Sequence, residues 1–428
     1  MTASRSSRPR AGVGGARHRA ARVHYSGRAS TALILLVLAL GLLPSAQTWA
    51  SGQSRRETEI GAAPDLAEEK DLPPAGLPEV GWVNGKFVIL NMHGLLFQDD
   101  LADIEENIAY ARWLNAGVIR VFATDANHFA DWDGERLGGR IGEMAPLLRA
   151  ANIKLIVAIV NNHREVPGEL AGTADWMDGY HQLLLPFYTE RWRGAYLTFM
   201  KSMVETVERL NAGDVLFAWE LGNELHTPRQ PPAVLKFINQ ASAELRRLAP
   251  QARVLAGTMG ANHLEPGRMD SPIARTLYCS GPISAYTLHA YDWIDQDRWG
   301  DMPIHWDFQN ILNRPCLSGR HLPVIVEELG TSRSLPGFYS EDEEELRFEQ
   351  ELNQLRMVLG YQGVVAVGVW SAQSPKVADV ARFDYRRGLT SYGSDARGGG
   401  SCYHIEPGEP FGARCLLERT LQRLPALD

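Results

Sequence analysis

From Gly81 onward, short aliphatic and β-branched runs alternate with longer stretches whose apolar positions recur every three to four residues. The runs are Phe87–Leu90, Val118–Phe122, Lys154–Val160, Val215–Trp219, Val254–Ala256, Ala285–Leu288, Val324–Val326 and Val364–Val369. Strands buried on both faces read as continuous apolar runs, so this pattern predicts a parallel sheet rather than hairpins. Between the runs, Ile104, Ile108, Ala111 and Leu114 follow the acidic start Asp99-Asp100 at helical spacing. Phe199, Met203 and Val207 mark one face of a second helix over 196–210. Strands alternating with helices predict βαβ units, and eight of them predict closure into an α/β (β/α)8 TIM barrel.

Composition adds bounds. The 428 residues are 45% hydrophobic and 22% charged, ordinary for a globular chain. Residues 80–428 suit one large barrel with insertions. The formal net charge is −8, yet the first fifty residues hold seven Arg and no Lys, Asp or Glu, so the rest stands at −15. A part that acidic repels phosphate backbones, and no nucleic-acid partner is expected.

The basic N-terminus leads into the apolar run Thr31–Leu43 and then Thr48-Trp49-Ala50. The run is short for a membrane span and suits a signal-peptide core. Residues 1–50 are therefore expected to be a signal peptide, or an anchor if uncleaved, in which case the membrane becomes a partner. Residues 51–79 are polar and Pro-rich and read as a linker. Export implies a secreted, periplasmic or cell-surface protein. It also permits disulfides among Cys279, Cys316, Cys402 and Cys415. Three pairings are possible; Cys279 with Cys316 and Cys402 with Cys415 is one of them. No CxxC or Cys/His cluster suggests a metal.

In a barrel, function sits where strands end, and here those ends are polar. Asn91 and His93 follow the first run, and Arg120 interrupts the second. Asn161-Asn162-His163 closes the third, and the fourth runs into Glu220-Leu-Gly-Asn223-Glu224-Leu-His226. His289, Tyr291, Asp292 and Trp293 lie at or just beyond the sixth, Glu327-Glu328 follows the seventh, and Trp370 ends the eighth. An Arg within an apolar strand needs a carboxylate partner. Two carboxylates facing each other across a barrel mouth are what glycosidic bond hydrolysis requires: one acid for the leaving oxygen, one nucleophile or base.

Trp219-Glu-Leu-Gly-Asn223-Glu224 resembles the strand-four signature of clan A glycoside hydrolases, and Pro323-Val-Ile-Val-Glu-Glu328-Leu-Gly330 resembles their strand-seven motif. The resemblance implies Glu224 as acid/base and Glu328 as nucleophile. It places Asn223 on a sugar hydroxyl, Arg120 beside the nucleophile, His289 and Tyr291 in the strand-six pair, and Trp370 under the reacting sugar. Because adjacent strand residues face opposite ways, a one-residue slip would exchange Glu328 for Glu327. Glu220 reads as structural, and His93, Asn162 and His163 as either binding or supporting residues.

Within clan A, the chain is similar to glycoside hydrolase family 5, particularly its endo-β-1,4-mannanases, through Phe187-Tyr188-Thr189, Trp219-Glu220-Leu221 and His289-x-Tyr291 followed by Trp299-Gly300. It departs from them at Asp292, Leu329 and His226, which bear on substrate rather than mechanism. The implied activity is a cofactor-free, retaining double displacement on a β-mannan or another β-linked polysaccharide or oligosaccharide, by a monomer. A β-glucanase, an exo-glycosidase or a transglycosylase shares that mechanism. A non-catalytic carbohydrate-binding barrel is the other reading, against which the presence of both Glu counts. The Gly398–Gly400 stretch follows no strand and is expected to be loop, and the acidic run 341–345 a solvated helix start.

Overall fold

A computed structural model of the chain describes residues 82–83, 86–124, 133–161, 185–225, 230–265, 271–290, 322–330 and 354–370. It also describes positions 311, 314–317, 319, 372, 374, 377, 403, 415, 418–419 and 421–422. The signal segment, the linker, Asn162, His163, His226, Tyr291, Asp292, Trp293, Trp299, Gly300, the 341–345 run, Gly398–Gly400 and Cys402 lie outside these residues.

All eight expected strands form: β1 (Lys86–Asn91), β2 (Val118–Phe122), β3 (Lys154–Ala158), β4 (Leu216–Glu220), β5 (Val254–Leu255), β6 (Tyr286–Ala290), β7 (Val324–Leu329) and β8 (Val364–Val369). They pair in parallel, in the order β5-β4-β3-β2-β1-β8-β7-β6. A parallel bridge between Leu255 and Ala285 joins the two ends, so the sheet closes into a (β/α)8 barrel. A two-residue strand, Trp82–Val83, pairs antiparallel with the start of β1.

Side-chain alternation divides the apolar residues into two layers. Phe87, Ile89, Val118, Ile156, Leu255, Ile325 and Ala366 pack together inside the barrel. Val88, Leu90, Ile119, Val157, Val326 and Val367 face the surrounding helices. The helix α1 (Leu101–Trp113) starts where Asp100 accepts the amide of Ala102, and Ile104, Ile108 and Ala111 are buried as their spacing predicts. The next helix, α2 (Gly134–Ala151), packs on α3 (Ala195–Arg209), whose Phe199, Met203 and Val207 are buried. Two further helices are α4 (Pro231–Leu248) and α5 (Pro272–Ser280). Cys279 is disulfide-bonded to Cys316, tying the end of α5 to the segment before β7. Cys415 is also disulfide-bonded. No helix among the described residues is long and apolar enough to cross a membrane.

Candidate active site

The inward positions change character at the C-terminal ends of the strands. Two residues beyond the apolar Ile89 comes Asn91, and two beyond Val118 comes Arg120. In β7, Glu327 stands two beyond Ile325. All three are buried.

Arg120 is the hub. Its Nε and Nη2 donate to the two oxygens of Glu220 at 2.6 and 2.7 Å. Its Nη1 donates to Glu328 Oε1 at 2.5 Å and Asn91 Oδ1 at 3.0 Å, and Nη2 also donates to Asn223 Oδ1 at 2.8 Å. A guanidinium has five N–H donors, and all five are engaged. Burial opposes its charge, but Glu220, Glu328 and Glu327 hold its pKa well above the ordinary value. Glu220, read as structural, is thus the partner that orients Arg120. Asn91 reaches further: its amide donates to the carbonyls of Glu327 and Val369 at 2.8 and 3.2 Å, linking β1 to β7 and β8.

Beyond β4 the chain kinks. Asn223 N–H bonds the Val160 carbonyl at 2.8 Å, and Leu225 N–H bonds that of Gly257 at 3.1 Å. Between them Glu224 takes a left-handed backbone, φ 54°. That conformation is uncommon for a non-glycine residue and gathers at functional sites. It brings Asn223 and Glu224, which are adjacent in sequence, into one cluster. Two glycines make the kink possible. A Cβ on Gly257, itself at φ +74°, would stand 1.8 Å from the Gly222 carbonyl, and one on Gly222 would stand 2.8 Å from Val160. Asn223 is then fixed by Asn161, whose Oδ1 accepts its amide at 3.2 Å.

A similar irregularity sets the positions of Glu327 and Glu328. The pairing of β7 with β8 shifts between Val326 and Leu329, and that of β6 with β7 shifts between Leu288 and His289, setting His289 beside Glu328. Such bulges re-aim side chains, and here both carboxylates reach the interior. Glu328 contacts Arg120, and His289 lies between the acidic groups. Its Nδ1 is 3.0 Å from Glu224 Oε1 and 3.4 Å from Glu328 Oε2, while its Nε2 is 3.8 Å from Glu327 Oε2. Burial pulls the His289 pKa down, but Glu328, Glu224 and Glu327 outweigh it and raise the value to about 10. The ring is therefore an imidazolium at neutral pH. Burial, then the charge of Glu220, raises Glu327 to about 7 against the opposing pull of Arg120 and His289.

One oxygen of Glu224, one of Glu328 and a ring nitrogen of His289 all lie within 4.8 Å of one another. Three such groups have the spacing to hold a cation, which would have to displace the proton from the His289 nitrogen it bound. Trp370 directly follows β8, its ring 5.8 Å from Phe122 and 6.3 Å from His93, with His93 4.6 Å from Phe122. The structure thus assembles Arg120, Asn223, Glu224, His289, Glu328 and Trp370 at one end of the barrel; Tyr291 falls outside the described residues. Asn91 and Asn161 belong to the same network. Their place at strand ends was the sequence signal, but their partners were not readable from it.

A cavity of about 860 Å³ lies at the opposite end, lined by Lys154, Leu216 and Arg253 at the strand starts and by Arg149 and Asn211 from helix ends. It contains none of the site residues.

The barrel superposes on the endo-β-1,4-mannanase from Thermotoga petrophila with a TM-score of 0.50 at 16% identity, covering 80% of this chain and 78% of that one. The fold is mannanase-like. A family 5 mannosidase from Rhizomucor miehei aligns at a TM-score of 0.49 and 13% identity, over 79% of this chain and 91% of that one. In sequence, mannan endo-1,4-β-mannosidase F of Aspergillus clavatus is 28% identical over 182 residues, 39% of each chain. The chain thus matches well under half the length of that curated relative. No family model matches the chain.

Proposed function

We propose that the protein is a retaining β-glycoside hydrolase acting on a β-mannan or a related β-1,4-linked glycan, with Glu224 as acid/base and Glu328 as nucleophile. The observation that carries this reading is the approach of one Glu224 oxygen and one Glu328 oxygen to within 4.8 Å of each other. Retaining enzymes hold their two carboxyl groups about 5–5.5 Å apart, whereas inverting ones leave room for a water between them.

The environments support the division of roles. Glu328 accepts from Arg120 at 2.5 Å and lies 3.4 Å from His289 Nδ1, contacts that fix one of its oxygens against each cation. The Glu328 carboxylate attacks the anomeric carbon, and the glycosidic C–O bond breaks as the Glu224 proton passes to the leaving oxygen. Glu224 then takes a proton from water, whose oxygen bonds the anomeric carbon as the ester to Glu328 breaks. Trp370, at the end of the eighth strand, is braced edge-on by the buried Phe122, and its remaining exposed surface is the aromatic surface offered to a sugar ring.

The mannan preference draws on the likeness to the mannanases. The Cys279–Cys316 disulfide supports an exported location, since such bonds persist in oxidising compartments.

The test is hydrolysis of a panel of mannans, glucans and xylans by the purified chain from residue 51, with the first-formed anomer read by proton NMR and Glu224→Ala as control. Release of the β-anomer from mannan, lost in the control, is expected. Release of the α-anomer would overturn the retaining mechanism, and turnover of a different glycan alone would overturn the mannan preference. No turnover on any of them would favour a binding barrel.

A further inference from the structure

Four carboxylates and two cations meet inside the barrel. They are Glu220 from β4, Glu224 from the kink beyond it, Glu327 and Glu328 from β7, Arg120 from β2 and His289 from β6. Arg120 is fully committed to Glu220, Glu328, Asn91 and Asn223. His289 is the second cation and faces Glu224, Glu328 and Glu327, and the charge of Arg120 also acts on Glu327.

Its contacts lie on both sides of the ring. Nδ1 faces Glu224 at 3.0 Å and Glu328 at 3.4 Å, so a single N–H is within reach of both acids of the proposed reaction. Nε2 faces Glu327 at 3.8 Å, an ion-pair distance too long for a hydrogen bond. Glu327 is fully buried, and neither of its oxygens has a hydrogen-bond partner among the described residues. A buried carboxylate without hydrogen bonds is costly and calls for an explanation. The mechanism above gives Glu327 no task.

We propose that Glu327 is a positioning residue for the double displacement: from behind the imidazolium it keeps the His289 Nδ1–H between Glu224 and Glu328, so that one donor follows the negative charge as it passes between them. The proposal rests on the glycosidase reading. In the resting site the charge is on Glu328. When Glu328 bonds the anomeric carbon and Glu224 gives its proton to the leaving oxygen, Glu328 becomes a neutral ester and Glu224 an anion. When water is deprotonated by Glu224 and its oxygen displaces Glu328, the charge returns. The net charge of the cluster is constant throughout, and the 3.0 and 3.4 Å contacts let the donor serve either anion with a small tilt of the ring. A ring that lost its second proton would present one N–H in all and could not face both sides. Above about pH 7, where Glu327 has lost its own proton, its charge holds that second proton in place.

The test is a ¹⁵N NMR titration of the His289 ring in the chain from residue 51, for wild type, Glu327→Gln and Glu327→Asp. The ring is expected to be doubly protonated at pH 7 in wild type. In Glu327→Gln its titration midpoint should fall by roughly 1–3 pH units, the effect of removing a nearby opposite charge. Glu327→Asp, which keeps the carboxylate, should fall less. On whichever glycan the wild type hydrolyses, the alkaline limb of kcat should move down with the midpoint in Glu327→Gln. A purely structural role would lower the folded fraction and leave midpoint and limb in place, and that result overturns the proposal. A singly protonated ring at pH 7 in wild type overturns it without any variant, and so covers the case in which Glu327→Gln does not fold. The titration needs no turnover. A normal His289 shift with no glycan hydrolysed would therefore refute the glycosidase reading, separately from the ring geometry.

Discussion

Arg120 and Glu220 form a bidentate ion pair inside the barrel, with Nε and Nη2 at 2.6 and 2.7 Å from the two carboxylate oxygens, and both side chains are fully buried. The pair fixes the plane of the guanidinium, and the remaining donors then fall on Glu328, Asn91 and Asn223. Position of the proposed nucleophile and of its neighbouring amide thus depends on a residue one shell away from the chemistry.

Replacing Arg120 separates the two effects. Arg120→Met leaves Glu220 buried without its cation and is expected to destabilise the fold by about 3–5 kcal/mol. Arg120→Lys keeps a charge but loses the planar fork that reaches several acceptors at once. It should retain more stability than Arg120→Met while still losing most of kcat. Urea unfolding and steady-state rates on the two variants check this. Full activity in Arg120→Lys would mean that the guanidinium does not orient the site.

Glu224 as acid predicts dependence on the leaving group. General acid catalysis contributes about 10²–10⁴-fold, and a phenolate of low basicity departs without a proton. Glu224→Gln should lose about that factor on a polysaccharide. On an activated aryl β-glycoside its first step should be spared, so that the glycosyl-enzyme accumulates and phenol appears in a burst. Equal losses on both substrates would count against the assignment.

The buried titrating groups set a pH dependence of stability. His289 is raised to about 10 from an ordinary 6.5, and Glu327 to about 7 from 4.5. Over those windows the folded chain holds protons that the unfolded chain has released. Each contribution is complete below the unfolded value and is lost as pH rises through the folded one. Stability should therefore decline from about pH 5 to about pH 10, as followed by the urea midpoint. Asp214 is shifted the other way, lowered first by its hydrogen bond to Arg149, so its contribution changes only at pH values below this window. A midpoint that rises between pH 5 and 10 would contradict the protonation assigned to His289 and Glu327.

Much of this architecture was legible because parallel barrel strands are buried on both faces and leave unbroken apolar runs. A charge such as Arg120 in one of them stands out. The helix α2 did not stand out. Gly134, Gly138, Gly139, Gly142 and Pro146 are poor helix formers, and the local pattern carries no clear helix signal. Its reason lies in packing: a Cβ on Gly134 or Gly138 would come within 2.4 or 2.7 Å of backbone oxygens of α3, so the glycines allow close approach of the two helices. The neighbours Glu327 and Glu328 were ambiguous for a different reason. A period-two pattern sends one of them outward, and only the register shifts of β7 bring both inward. In the same way, the roles of Asn91 and Asn161 depend on contacts with strands far away in sequence, which local pattern does not carry.

The kink that presents Glu224 gives the last prediction. Gly257 sits at φ +74°, and an added Cβ would lie 1.8 Å from the Gly222 carbonyl and 2.5 Å from Glu220 Oε1. The first contact is with backbone, which cannot rotate away. Gly257→Ala must therefore push the 221–224 segment, costing about 1–3 kcal/mol in backbone strain alone and displacing Asn223 and Glu224. Activity should fall further than the loss of folded protein accounts for. Gly139→Ala is the matched control, because nothing lies within 4 Å of its added Cβ. In the interior of α2, that change should stabilise by roughly 0.5–1 kcal/mol and leave rates untouched. Thermal unfolding and kcat on both variants decide the matter: a Gly257→Ala protein with wild-type kcat would show that the kink tolerates movement and that Glu224 is not positioned by it.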